Sequence, residues 1–271
     1  MHGYRAISDA LSAWRGTFID FIRQLDEDGV PYLSFSKVNA VESCQQRYLL
    51  EYVDGVEFEQ PGYYVKGTVF HQAASSAYQQ LGNAGLNMKP IERLAQKHFD
   101  DEEAAHILNA VRLLVDNAPA NHEVVATELP FVLSLGAKMP PLIGVIDLLL
   151  RKGDTFVVVD HKSGKNLYEQ DGFQLHLYRE HVRRAFKAKR CRACFDEYRW
   201  VNNLDRIRKP AFRRTHVPPK PWSSVLKRVD AAWWTMRQIQ RTGKADAGGD
   251  CMFCPVKDAC PKATLGWQTW Y

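Results

Sequence analysis

No stretch of the 271 residues approaches the length of apolar chain that crosses a bilayer, and no short apolar core near the start resembles a secretory leader. These two absences argue against a membrane-spanning helix and place the chain, as an expectation, in the cytoplasm, where thiols stay reduced. A large excess of one charge is also missing: 36 Lys and Arg stand against 31 Asp and Glu, a net +5. That mild basicity suits a polyanionic partner without demanding one. Cysteine is sparse, at six residues, and in a reducing compartment a set of six points to metal before disulfides. What remains is ordinary for a soluble globular protein, 45% hydrophobic and 25% charged. The length accommodates one large domain or two small ones.

The most informative stretch begins at Leu142. Leu142 to Leu150 and Thr155 to Lys162 are both rich in Val, Ile and Leu, and the Gly/Asp-containing segment Arg151 to Asp154 separates them. This pattern predicts a β-hairpin. Alternation puts Asp160 and Lys162 on one face. With Arg151 to Asp154 as the loop, Asp147 falls opposite Val158 and joins that face. Two carboxylates and an ammonium then converge in apolar surroundings, a costly arrangement unless a metal or partner compensates it. Carboxylates suit Mg²⁺ or Mn²⁺, and a neighbouring lysine suits a developing phosphate charge. Taken as a bare Asp-x-Lys tripeptide, the same residues would be a weak surface pair; the apolar strand and the second Asp argue against that reading.

Asp147 with Asp160-His161-Lys162 resembles the core of the PD-(D/E)XK nuclease superfamily. The span Ile143 to Gly164, followed by Gln174 and Tyr178, is similar to its RecB-like branch. The resemblance implies an α/β fold with a mixed central sheet flanked by helices. It also implies a metal held by His71, Asp147 and Asp160, with the backbone carbonyl of His161 contributing. Lys162 would assist catalysis, and Gln174 and Tyr178 would lie near the nucleic acid on the following helix (Phe173 to Arg184). His71 is included because Gly67 to His71 reproduces the family's Gly-x-x-x-His segment; alone, it reads as a structural histidine at a helix start. Glu128 stands where the family often has an acid, although in isolation it is a solvent-facing glutamate at a strand edge.

The remaining segments are less specific. Ile7, Leu11, Trp14, Phe18, Ile22 and Leu25 recur at helical spacing, predicting an N-terminal amphipathic helix within residues 1–30 that packs on the core or binds a partner. Residues 31–271 then form the nuclease domain. Ser36 is expected to cap a helix ending near Cys44. Residues 83–125 read as a helical insert without chemistry. Residues 183–192 and 206–220 each hold six Lys or Arg and no acid, a composition that suits phosphate contacts or solvated loops. Cys191 and Cys194 fall on a predicted strand with opposite orientations, which argues against shared ligation.

At the C-terminus, within residues 245–271, Cys251, Cys254 and Cys260 have C-x₂-C-x₅-C spacing, and Cys44 is the candidate fourth ligand. Zinc accepts four cysteines. One early cysteine and three late ones around a RecB-like core instead resemble the iron–sulfur nucleases of CRISPR adaptation and the AddB nuclease domain. That resemblance implies a [4Fe–4S] cluster joining the N- and C-terminal segments. The function implied is a Mg²⁺- or Mn²⁺-dependent DNA exonuclease acting on single-stranded ends. A DNA-binding subunit of a helicase or integration complex, or an iron–sulfur redox sensor that binds DNA, are the alternatives.

Overall fold

The computed structural model describes residues 2–81, 86–248, 251 and 254–263. Its helices are α1 His2–Ala13, α2 Phe18–Glu27, α3 Phe35–Ser43, α4 Gln45–Tyr48, α5 Gly62–Leu81, α6 Lys89–His98, α7 Asp101–Asp116, α8 Phe173–Ala185 and α9 Trp222–Thr242. The strands are β1 Glu123–Leu133, β2 Leu142–Lys152, β3 Thr155–Gly164, β4 Arg190–Arg199 and β5 Phe212–His216. They form one five-stranded sheet in the order β1-β2-β3-β4-β5. Within it β2 and β3 are antiparallel, β3 and β4 parallel, and β4 and β5 antiparallel. The parallel pair needs a crossover, and α8 supplies it. The fold is therefore mixed α/β with a mixed sheet, as expected for a PD-(D/E)XK core.

The predicted hairpin forms, with a different register. Only Gly153 and Asp154 make the turn, because Gly153 at φ +55° takes the left-handed position that a two-residue hairpin requires. Val158 consequently pairs with Leu149, not with Asp147. The shift is two residues, so the alternation of faces is unchanged.

Contacts divide the chain into two compact units, each drawn from separate segments: residues 1–61, 132–144 and 221–271 in one, and residues 62–131 and 145–220 in the other. In the first unit, the N-terminal amphipathic segment is two helices. Trp14 to Thr17 interrupts it, and the Thr17 hydroxyl caps α2 by accepting from the Asp20 amide, a cap worth about 1 kcal/mol. The apolar face reserved for the core or a partner is packed: Ile7, Phe21 and Leu25 are buried with Tyr32, Val132 and Ile143. Ser34, not Ser36, caps α3.

In the second unit, α5 and α7 lie against one face of the sheet, where Leu148, Leu150, Val159, Cys194 and Tyr198 meet Phe70, Ala74, Ile107 and Leu114. Fully burying each large aliphatic side chain contributes about 1.5–3 kcal/mol. Much of the segment read as an insert is thus core, since α6 and α7 complete this packing, and β1 already begins at Glu123. α8 serves the residues of opposite alternation, where Lys162 reaches Gln174.

Candidate active site

All of the sequence-derived catalytic candidates fall in the second unit. His71 lies in the middle of α5, not at a helix start, because α5 begins nine residues earlier at Gly62. Its Nδ1 is 3.5 Å from Asp147 Oδ2 and 3.7 Å from Glu128 Oε1. One ligand atom from each of His71, Glu128 and Asp147 lies within 4.8 Å of the others, a spacing that suits a metal ion. Glu128, weighed as an edge glutamate, is thus part of the cluster. Its backbone adopts φ +48°, a conformation that costs a non-glycine residue about 1–3 kcal/mol and concentrates at functional sites. Pro130, two residues on within β1, was the available signal that the strand is irregular there.

Asp160 is placed differently from the expected ligand set. It is buried, at 1% exposure, and its Oδ2 is 2.7 Å from Lys162 Nζ. Among the described residues, the close ligand cluster comprises His71, Glu128 and Asp147 without it. Asp147 and Asp160 still sense each other electrostatically. Asp147 Oδ2 accepts from the His161 amide at 2.7 Å, which fastens β2 to β3 beside the site.

Lys162 is held from its other side. Its Nζ donates to Gln174 Oε1 at 3.1 Å, and Gln174 Nε2 donates to the Tyr178 hydroxyl at 2.6 Å. The four-residue spacing on α8 brings Gln174 and Tyr178 together. Together they form a positioning chain for the lysine.

The electrostatics follow from carboxylates crowded in a dry site. Burial alone would depress the His71 imidazolium, but Asp147, Glu128 and Asp160 outweigh it and raise its pKa to about 9. Burial lifts Asp147 to about 7; the nearby Asp160 and Glu128 add to the rise, while His71 and Lys162 oppose it. Lys162 is raised despite burial, because Asp160 and Asp147 favour the ammonium. Lys162 is therefore held as an ammonium by its carboxylate neighbours. Burial pushes Tyr178 well above the usual phenol range, so its hydroxyl stays protonated.

The His161 side chain points into the aromatic core. It stacks on Tyr78 with ring centroids 5.9 Å apart, and its Nδ1 is 3.4 Å from the Tyr198 hydroxyl. Burial first, then the charges of His71, Arg214 and Lys162, drive its pKa well below the usual value, leaving it neutral.

The basic segments are partly committed elsewhere. Arg214 forms a bidentate pair with buried Asp196, and Arg213 does so with buried Glu197, directly across β4 and β5. Arg183 and Arg184 both bond Glu180. Arg206, Arg208 and Lys209 instead line an open cavity of about 550 Å³ beside Trp200. The sequence reading missed the Asp196-Glu197 pair; alternation with Arg213 and Arg214 across a hairpin was the signal.

In the first unit, Cys44, Cys251, Cys254 and Cys260 line one cavity of about 220 Å³. Cys44 sits at the end of α3, and the Gly248 amide donates to its sulfur at 3.4 Å. Burial raises the Cys254 thiol. Four thiolates suit one zinc or an iron–sulfur centre alike. Cys191 and Cys194 lie on opposite faces of β4: Cys194 is in the core, Cys191 pairs in register with Phe156, and burial pushes their thiols up to about 12 and about 11.

A family model for the PD-(D/E)XK nuclease superfamily matches residues 32–261. Among solved structures, the crystal structure of SSO0001 is similar at 13% identity over 74% of this chain and 96% of that one. Its TM-score of 0.36 is too low to carry an argument. No curated protein matches the chain.

Proposed function

Because the chain belongs to the PD-(D/E)XK nuclease superfamily, we propose that it is a RecB-like iron–sulfur exonuclease that hydrolyses phosphodiester bonds at the ends of single-stranded DNA. The observation that carries the hydrolytic part is the convergence of His71, Glu128 and Asp147 beside the Asp160–Lys162 pair. These donors fit Mg²⁺ or, given the imidazole, Mn²⁺. A metal bound there would activate water and neutralise charge on the phosphate. Asp147 accepts the His161 amide and so presents its carboxylate from a fixed strand position. Asp160, buried beside Lys162, keeps the lysine charged and supplies further negative charge to the site. Lys162, held by Gln174, directs its ammonium toward the charge that grows during attack on phosphorus.

The four cysteines around one cavity support a [4Fe–4S] cluster held by Cys44, Cys251, Cys254 and Cys260. Its role in this reading is structural, since no catalytic candidate lies in the C-terminal cysteine motif. End-labelled single- and double-stranded DNA, incubated with the full chain and Mg²⁺ or Mn²⁺, tests the activity. Cleavage that shortens single strands from an end, stops with chelator and falls about 100- to 1,000-fold in Lys162→Ala is expected. Metal-independent cleavage, or none from cluster-loaded protein, overturns the reading.

A further inference from the structure

α5 carries more than His71. Tyr64 lies seven residues before His71, so the two share a helix face about 10 Å apart along the axis. That distance matches about two or three nucleotides at the 3.4 Å spacing of a stacked strand. Between them a Cβ added to Gly67 would meet nothing within 4 Å, leaving bare helix backbone. Tyr63 and Tyr64 are 53% and 43% exposed, with ring centroids 4.9 Å apart. Such large exposed rings need an explanation when they stand together. No acidic residue occupies the first turn of α5, so its positive end is not offset from within.

The same face continues past His71 in the other direction. Ser75, one turn on, donates to Thr127, and Gln79, one turn further, also donates to Thr127. Gln79 and Thr127 line an open cavity of about 1030 Å³. The hydrolytic cluster thus interrupts a continuous surface: an open cavity on one side, and an open glycine followed by two aromatic rings on the other.

We propose that Tyr64, backed by Tyr63, is a stacking platform for one unpaired nucleobase of the substrate strand, two or three nucleotides from the hydrolysed phosphate. The inference rests on the nuclease reading and deepens it by assigning a residue that selects single strands. An aromatic face accepts any base and requires only that it be unpaired. Gly67 gives the sugar and phosphate room to pass from the platform to His71.

The test uses full-length Lys162→Ala protein with Mn²⁺, so that DNA is bound and not cut. The probes are dT oligonucleotides carrying one 2-aminopurine at successive positions. Quenching is expected at one position, two or three nucleotides from the bond that wild-type protein cuts. Adding Tyr64→Ala abolishes the quench and weakens single-strand binding about tenfold, within the range found for removal of a base stack. Tyr64→Phe retains both, and all variants melt with the parent. Unchanged quench and affinity in Tyr64→Ala would overturn the platform while leaving the nuclease reading standing. So would an equal loss of affinity for blunt duplex, which has no unpaired base. Failure of both wild-type and Lys162→Ala protein to bind DNA would overturn the nuclease reading itself, and the platform with it.

Discussion

At the scale of single residues, the site is a set of charges that hold one another in place, and this determines its response to pH and mutation. In the metal-free protein His71 keeps its proton up to about pH 9 and Asp147 up to about pH 7. A metal must displace both protons. Mn²⁺ affinity is therefore expected to rise about tenfold per pH unit between 7 and 9, where only His71 is displaced, and more steeply below 7. Calorimetry in buffers of different ionisation enthalpy reads the released protons directly; affinity that is flat with pH would refute the ligand role of His71. Lys162→Ala should lower turnover about 100- to 1,000-fold, as expected for removing one fixed donor at a developing charge. Gln174→Ala removes only the group that positions Lys162, so a smaller loss, about 10- to 100-fold, is expected. Single-turnover rates under saturating DNA distinguish the two.

At the scale of elements, the basic segment after β4 divides into two parts with different duties. Arg213 and Arg214 on β5 neutralise carboxylates that are 2% and 1% exposed. Truncating Arg214 leaves Asp196 buried without its partner and should cost about 3–5 kcal/mol of stability. Arg206 and Arg208, in the loop before β5, line an open cavity. Replacing both with Ala should leave the melting temperature unchanged and reduce the salt slope of DNA binding by about 2, since each phosphate that the protein no longer neutralises keeps close to one counterion. Denaturation and salt titration of the two double variants, Arg206→Ala/Arg208→Ala and Arg213→Ala/Arg214→Ala, separate these roles. Composition alone made the four arginines equivalent. Register across β4 and β5 made them different, because a side chain's partner on a neighbouring strand depends on pairing that local sequence does not specify.

At the scale of the whole molecule, two centres are expected to leave separate signatures. Anaerobically purified protein should be brown and contain about four iron and four sulfide per chain. Ser at Cys44, Cys251, Cys254 or Cys260 should remove the colour, whereas Ser at Cys191 or Cys194 should not; one zinc per colourless chain would refute the cluster. Mn²⁺ at a hundred times its dissociation constant should stabilise the chain by about 2.7 kcal/mol, a shift lost in His71→Ala and Glu128→Ala. Without metal, the raised pKa of His71 stabilises the fold below about pH 6.5, and that contribution disappears as the pH passes 9. The melting temperatures of wild type and His71→Ala should converge accordingly. Much of this was legible in the chain itself. The apolar runs around Asp147 and Asp160, the Gln174–Tyr178 spacing and the spacing of Cys251, Cys254 and Cys260 are local, and local periodicity determines which side chains share a face. The mid-helix place of His71, the entry of Glu128 into the ligand cluster without Asp160 and the turning of His161 into the aromatic core were decided only in three dimensions. Each depends on how separate segments pack and on which charges a buried site can neutralise, and those energies arise between residues far apart in the chain.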